Sequence, residues 1–155
     1  MGKLVLMGTG GAPLPPTPEL MKLVTFYNDP TTEAMAELLS CFVHDPAFFG
    51  GELEKVAEAR MPRASRADVR RSYLATFEPG PPPSFPPEML AAIANPTLVV
   101  HGREDRVVAV AGAHYVATHI PNAQLHVLPK TGHWLQIEQQ RPFVHLVRAF
   151  LRGDL

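Results

Sequence analysis

Short apolar runs alternate with longer amphipathic stretches along much of the chain. Residues 4–7, 97–100 and 125–128 form three such runs, and runs of this length predict parallel strands that are buried on both faces. Apolar positions spaced three and four residues apart predict helices at 109–119 and after Pro142. The order of strand, helix and strand predicts an α/β fold with parallel strands and right-handed crossovers.

Two proline clusters bracket a helical block between the first two predicted strands. They cover residues 13–18 and 79–87. Because proline fixes φ and has no backbone N–H, neither cluster can form a helix interior or a central strand. Residues 19–77, between the clusters, have a mostly helical pattern. The predicted domains are therefore a core of residues 1–12 and 88–155 and an inserted helical lid of residues 13–87.

Composition narrows the class of protein. The chain has 155 residues, 46% of them apolar and 19% charged, which suits one globular domain. Its net charge of −1 gives no reason to expect nucleic acid or an anionic membrane as a partner. No segment is long and apolar enough to predict a membrane span. The single cysteine, Cys41, fits a reducing compartment, so we expect a cytoplasmic protein.

Asp105 and His133 directly follow the second and third predicted strands. Neighbouring parallel strands lie about 4.8 Å apart, so loops that leave the same edge can bring these two side chains into contact. A carboxylate beside an imidazole fixes its tautomer and stabilises the imidazolium that forms during catalysis. The alternatives are a helix N-cap or an ion pair with Arg103 or Arg106 for Asp105, and a loop position without a catalytic role for His133.

The other six histidines carry no comparable pattern. His101 ends a strand, and no two histidines have the H-x-x-x-H spacing of a helical metal site. The single cysteine cannot build a zinc cluster. We therefore expect no metal, and we assign no role to His101.

Four segments together resemble a known enzyme family. They are residues 4–11 (LVLMGTGG), 101–108 (HGREDRVV), 125–128 (LHVL) and 132–138 (GHWLQIE). With these segments in this order, the chain is similar to the meta-cleavage product hydrolases, which are α/β-hydrolases that cleave carbon–carbon bonds in ring-opened catechols. The likeness covers nearly the whole chain. It implies a partial α/β-hydrolase fold, namely the last three parallel strands with flanking helices, plus the helical lid.

The resemblance also implies roles for single residues. Asp105 would be the acid and His133 the base. Phe42 and Trp134 would line the substrate pocket, although ordinary core packing is an equal alternative for both. Arg60 would hold the carboxylate of a 2-hydroxy-6-oxo-dienoate, since a guanidinium fork grips planar carboxylates, or it would be an exposed helix charge. Water would be the co-substrate, and no cofactor is expected.

The serine nucleophile of this family is missing from the sequence. The family orders nucleophile, acid and base along the chain, with the nucleophile in a Gly-x-Ser-x-Gly turn. None of the serines lies in such a turn; they are Ser40, Ser65, Ser72 and Ser84. We therefore expect the nucleophile to precede residue 4, outside this sequence, and the chain alone to show negligible turnover. Because an unpaired apolar strand edge invites association, we also expect self-association or pairing with an N-terminal half.

Two other functions stay open at this point. The same acid and base also serve esterases, haloalkane-type hydrolases and lyases of this fold. Alternatively, the chain is a truncated, non-catalytic module that acts by binding.

Overall fold

A parallel sheet and the helices around it make up a computed structural model that describes residues 2–77 and 84–155. In chain order, the elements are β1 (Leu4–Met7), α1 (Pro18–Thr25), α2 (Thr32–Cys41), α3 (Leu53–Ala64), α4 (Ala67–Phe77), α5 (Pro87–Ala91), β2 (Thr97–Gly102), α6 (Val110–His119), β3 (Ala123–Leu128), α7 (Leu135–Glu138) and α8 (Gln140–Arg152). Most of the second predicted proline cluster, residues 79–83, lies outside the described residues.

The sheet confirms the predicted α/β arrangement. Its three strands are parallel and follow the order β1-β2-β3, so β2 pairs on both sides. β2 and β3 are each two residues longer than the apolar runs suggested. β2 continues through His101 and Gly102 because these residues pair with Val127 and Leu128 of β3. A backbone ladder extends past the apolar run wherever both strands remain in register, which the hydrophobic pattern alone does not report.

Successive residues of β2 face opposite sides of the sheet, and each side has its own apolar core. Val99 packs with a cluster from α5 and α6 that includes Leu90 and Val116. Leu98 and Val100 pack on the other side with a cluster from α7 and α8, formed by Leu135 and Phe150. The sheet is therefore covered by helices on both faces, which holds the loops at its carboxyl edge in fixed positions.

The helices α1–α4, residues 18–77, form a further unit between β1 and α5, called the helical segment below. Thr17 and Thr31 cap α1 and α2 by accepting the N–H of Leu20 and Ala34. The segment has a separate apolar core made by six buried residues, which are Phe26, Tyr27, Met35, Leu38, Leu39 and Ala57. In the described ranges, no helix combines the length and the apolar content that crossing a membrane requires.

Candidate active site

The loops that follow β2 and β3 bring Asp105 and His133 together. His133 Nδ1 lies 2.8 Å from Asp105 Oδ2, within hydrogen-bonding distance. The strand positions predicted this contact, and it is present. The catalytic roles of the two residues stay predictions.

The Asp105 carboxylate is buried and each of its oxygens has two polar contacts. Oδ1 accepts the backbone N–H groups of Val107 and Val108, both at 2.9 Å. Oδ2 faces His133 Nδ1 at 2.8 Å and His101 Nε2 at 3.2 Å. A carboxylate surrounded in this way has one orientation only, which suits a group that must hold an imidazole.

Neither arginine that could have paired with Asp105 does so. Arg103 Nε donates to Glu104 Oε1 at 2.8 Å, and Arg106 donates to the carbonyl oxygen of Ser40 at 2.7 Å. The residue that precedes α6 as its N-cap is Ala109 rather than Asp105. These contacts leave the imidazoles and the local backbone as the partners of Asp105.

The pKa of Asp105 reflects a competition between burial and hydrogen bonding. Burial by itself raises the pKa of a carboxyl group, because it disfavours the charged form. Hydrogen bonds from His101, His133 and the Val108 N–H outweigh burial and lower the pKa from 3.8 to about 2. Asp105 is therefore ionised at neutral pH, where it accepts the Nδ1 proton of His133 and leaves Nε2 free to exchange protons.

His133 borders an open cleft of about 570 Å³. The side chain is 23% exposed, so its ring is reachable from solvent. Gly8, after β1, makes room for this ring: a Cβ there would lie 3.0 Å from His133 Cε1, and the φ of Gly8 is +56°. The cleft walls are mainly apolar and include Leu20, Leu23 and Val107. Its volume lies in the range typical of small-molecule sites.

Three further candidate residues continue the contact chain from His133. The Phe42 ring lies 5.5 Å from the His133 ring and stacks on Trp134 at 5.0 Å with an interplanar angle of 6°. The Arg60 guanidinium lies over Trp134, 5.1 Å from the centre of its ring. Asp105, His133, Phe42, Trp134 and Arg60 therefore form one continuous run of contacts.

These residues do not, however, surround a single cavity. Phe42, Arg60 and Trp134 line a second hollow of about 280 Å³ against the core of the helical segment. His133 borders the larger cleft. The contact of Arg60 in this structure is a cation–π contact with Trp134, and its role toward a substrate stays a prediction.

His101, to which the sequence pattern assigned no role, is a further functional candidate. Its side chain is completely buried, and Nε2 lies 3.2 Å from Asp105 Oδ2 and 2.9 Å from the Val108 carbonyl oxygen. Its Nδ1 has no hydrogen-bond partner among the described residues. The available signal was a histidine at the end of a buried strand, four residues before an aspartate. A polar side chain at such a position needs a buried partner.

The acid and base loops also touch through their backbones. Glu104 N donates to the Thr131 carbonyl oxygen, and Thr131 N donates to Glu104 Oε2, both at 3.0 Å. A Cβ at Gly102 would lie 2.1 Å from the carbonyl oxygen of Gly132. Only glycine allows this approach, so the separation of the two loops is determined at residue 102.

The serines do not complete a catalytic triad in the described residues. Ser40 and Ser72 lie within α2 and α4, and Ser65 directly follows α3. Ser84 lines the same cleft as His133, but among the described residues the only side-chain hydrogen bond of His133 is to Asp105. In that same part of the chain, no group of three or more His, Cys, Asp or Glu side chains is placed to hold a metal ion.

Comparisons with known proteins agree with this geometry. Residues 30–140 match the family model described as the alpha/beta hydrolase fold. The 2-hydroxymuconate semialdehyde hydrolase of Pseudomonas putida is 38% identical over 96% of this chain, and the match covers 53% of that enzyme. The chain therefore spans about half the length of the curated relatives it matches.

Solved structures give the same picture. A serine hydrolase from the polyaromatic hydrocarbon-degrading bacterium Cycloclasticus zankles superposes with a TM-score of 0.94 at 36% identity, over 99% of this chain and 56% of that one. The 2-hydroxy-6-oxo-6-phenylhexa-2,4-dienoate hydrolase of Rhodococcus sp. RHA1 superposes with a TM-score of 0.86 at 34% identity, over 97% and 55%. The family match, the parallel sheet and the two loops at its edge lead to one conclusion: this chain belongs to the α/β-hydrolase fold family.

Proposed function

We propose that this chain carries the acid–base part of a hydrolase that cleaves a carbon–carbon bond in ring-opened catechols, the 2-hydroxy-6-oxo-dienoates. The observation that carries the proposal is the hydrogen bond between Asp105 and His133 beside an apolar cleft. Similarity to a 2-hydroxymuconate semialdehyde hydrolase and to a phenylhexadienoate hydrolase supports this substrate class.

In the proposed reaction, His133 transfers protons and Asp105 keeps it correctly oriented. The ionised carboxylate accepts the Nδ1 proton, so Nε2 can take the proton of a serine hydroxyl and later return it. Water is the co-substrate. Its hydroxyl ends on the former 6-oxo carbon, which becomes a carboxylic acid, and its hydrogen ends on the neighbouring carbon, which leaves as the dienoate product. The serine is supplied from outside residues 1–155.

The substrate contacts belong to the helical segment and the base loop. We assign residues 13–87 to a lid over a core formed by residues 1–12 and 88–155. The separate apolar core of α1–α4 supports this division. Phe42 and Trp134 form the aromatic wall beside His133, and Arg60 supplies the positive charge for the carboxylate of the substrate.

The proposal includes a partner for the outer edge of the sheet. Within residues 2–77 and 84–155, β1 pairs with β2 on one side only, and Met7 at its end is 42% exposed. An unpaired parallel strand offers its backbone N–H and C=O groups to another strand. We propose that either a nucleophile-bearing N-terminal half or a second copy of this chain pairs there. The buried thiol of Cys41 fits a location in the cytoplasm.

The test is complementation. The 155-residue chain is assayed alone and together with the segment of the Pseudomonas putida hydrolase that it does not match. Turnover of 2-hydroxymuconate semialdehyde is followed by loss of its absorbance. We expect negligible turnover by the chain alone, since it has no nucleophile in the proposed arrangement, and measurable turnover by the mixture. His133→Ala in the mixture is the control and is expected to abolish the gain.

Two results would oppose the proposal. If the two parts bound each other and the mixture were active, but His133→Ala did not change the turnover, His133 would have no catalytic role. If the mixture hydrolysed a simple ester and left the dienoate intact, Asp105 and His133 would keep their proposed roles. The substrate class would then be esters rather than dienoates. The DNA upstream of Met1 gives an independent check, because the proposal expects an in-frame Gly-x-Ser-x-Gly there.

A further inference from the structure

The two carboxyl oxygens of Glu138 accept backbone N–H groups from different parts of the molecule. Oε2 accepts from Gly132 N at 2.8 Å, and Oε1 accepts from His44 N at 2.6 Å. Gly132 directly precedes His133, whereas His44 lies three residues beyond the end of α2. Hydrogen bonds to an ionised acceptor are about twice as strong as neutral ones. One side chain therefore joins the base loop to the helical segment.

The backbones at this junction are in direct contact. Trp134 N donates to the Phe42 carbonyl oxygen at 2.9 Å. A Cβ at Gly132 would lie 2.7 Å from His44 N and 2.8 Å from the Phe42 carbonyl oxygen. The stretch that contains His133 thus runs directly against the end of α2, and Glu138 satisfies one N–H on each side of this contact.

We propose that Glu138 is a positioning residue that fastens the His133 loop to the end of α2, so that the base and the aromatic wall formed by Phe42 and Trp134 keep one relative position. The inference rests on the proposed function for its catalytic meaning. Among the described residues, Glu138 does not line the cleft and makes no hydrogen bond with the Asp105 carboxylate. It acts through the backbone of its neighbours.

The isosteric variant Glu138→Gln separates this role from simple packing. Both carboxyl oxygens of Glu138 accept hydrogen bonds. A glutamine side chain has the same shape but only one acceptor oxygen. Its NH₂ group would face one of the two N–H donors, so one contact becomes repulsive. Glu54→Gln, on the exposed side of α3, makes the same chemical change without such contacts in the described residues and is the matched control.

The first measurement is NMR on the labelled 155-residue chain. In Glu138→Gln we expect amide exchange at Gly132 and His44 to speed up by about tenfold or more, as expected for losing a hydrogen bond to a charged group. We also expect the downfield Nδ1–H signal of His133 to broaden or disappear, because the loop no longer holds the ring against Asp105. A variant with faster exchange but an unchanged His133 signal would reduce Glu138 to a structural residue and overturn the proposal.

A second measurement does not depend on any variant folding. In the unaltered chain, through-hydrogen-bond couplings should connect the Glu138 carboxylate carbon with the amide nitrogens of Gly132 and His44. Absence of both couplings in a folded sample would overturn the proposal directly.

The third measurement is kinetic. It uses the mixture of this chain with the complementing segment of the Pseudomonas putida hydrolase, called the complemented enzyme below. There, Glu138→Gln is expected to lower kcat by about tenfold or more with a smaller change in KM, since the cleft lining outside the base loop is retained while the base is misplaced. An active mixture that is indifferent to Glu138→Gln would overturn this inference. An inactive mixture of the unaltered parts would instead count against the proposed function. The NMR results would still show whether Glu138 fastens the His133 loop to the end of α2.

Discussion

The sheet region and the helical segment bury similar side chains but use them differently. Each has its own apolar core, one set around β2 and the other around Phe26 and Leu39. Four buried polar or charged side chains of the described residues lie in β2 or in the loops after β2 and β3; they are Thr97, His101, Asp105 and Thr131. In those same residues, the buried side chains of the helical segment are apolar apart from the hydroxyl of Tyr27 and the thiol of Cys41, which donate to the carbonyl oxygens of Ala64 and Glu37.

This contrast explains how the proposed work is divided. Buried polar groups need hydrogen-bond partners, and the side chains of Thr97, Asp105 and Thr131 all have them, whereas His101 lacks one only at Nδ1 among the described residues. The sheet edge therefore has little freedom, which suits an acid and a base that need accurate geometry. The helical segment is held by apolar packing, which tolerates changes in shape better and suits a wall around a substrate. The four predictions below test this division, beginning with the largest effect.

Replacing one glycine by alanine in each region should give the largest difference in unfolding free energy between the two regions. At Gly102 a Cβ would lie 2.1 Å from the Gly132 carbonyl oxygen, so Gly102→Ala forces the acid and base loops apart. We expect it to cost at least about 3 kcal/mol or to prevent folding. Gly50, in the helical segment, has φ +60° but nothing within 4 Å of a Cβ, so Gly50→Ala should cost about 1 kcal/mol from backbone strain alone.

Urea unfolding at one fixed protein concentration measures both free energies. Equal losses for the two alanine variants would mean that the loop contact at Gly102 relaxes easily. The sheet edge would then be no more constrained than the helical segment.

Two core truncations compare the sheet region and the helical segment at the same expected loss of unfolding free energy. Phe26→Ala and Leu98→Ala each remove a buried side chain, and each is expected to cost about 3 kcal/mol. Leu98 shares its buried cluster with Leu135, two residues after His133, whereas Phe26 belongs to the buried core of the helical segment, against which Trp134 packs. Leu98→Ala should therefore disturb the Nδ1–H signal of His133 most in NMR spectra, whereas Phe26→Ala should first change the fluorescence of Trp134. A disturbance by Phe26→Ala of the same size would show that the two cores act as one.

Acid should weaken the sheet edge before it weakens the helical segment. The folded-state pKa of Asp105, about 2, lies below the ordinary value of 3.8. Because folding lowers this pKa, the ionised carboxylate stabilises the folded state. This stabilisation is complete above about pH 4 and is lost as the pH falls through about 2. The difference corresponds to about 2 kcal/mol, and Asp105→Asn should remove this part of the pH dependence.

The measurement is the unfolding free energy between pH 2 and pH 6. Asp68→Asn is the control, because its carboxylate is exposed and pairs with Arg66, and exposed ion pairs contribute little to stability. We expect it to leave the curve nearly unchanged. If Asp105→Asn kept the full slope below pH 4, other groups would be responsible for it, and the proposed stabilisation of the Asp105 carboxylate would be wrong.

The contact between Asp105 and His133 could be predicted because it depends on strand order alone. Parallel strands present their carboxyl ends at one edge, so residues just after adjacent strands meet there whatever the rest of the chain does. The α/β class and the helical character of residues 19–77 could be predicted for a similarly local reason, namely the period of the apolar positions. These features need only a short stretch of sequence.

The role of Glu138 could not be predicted, since it depends on how distant segments approach one another. Glu138 accepts a hydrogen bond from the backbone of His44, 94 residues away along the chain. For His101 the sequence offered a local signal, an aspartate four residues later, but not that its ring faces the same oxygen that His133 contacts. The division of Phe42, Trp134 and His133 between two cavities has the same origin. Such distances come from tertiary packing, which neither residue type nor spacing encodes.

The smallest expected effect concerns Arg60, the candidate charge of the helical segment. Its guanidinium is exposed and lies over the Trp134 ring, so Arg60→Ala should change the unfolding free energy by less than about 1 kcal/mol. Trp134 is the only tryptophan, so its fluorescence reports this stack directly. Arg63→Ala, a neighbouring lining residue of the same hollow, is the control and should leave the emission unchanged.

The functional consequence of Arg60 should exceed its structural one. In the complemented enzyme, Arg60→Ala is expected to raise KM for a dienoate by about tenfold, the loss expected for a charge-assisted hydrogen bond to a carboxylate. A neutral ester of the same dienoate should be unaffected, because it offers no planar anion to the guanidinium. Arg60→Lys keeps the charge but loses the fork and should fall between the two. If KM rose equally for the acid and its ester, Arg60 would act by supporting Trp134, and the helical segment would contribute shape alone.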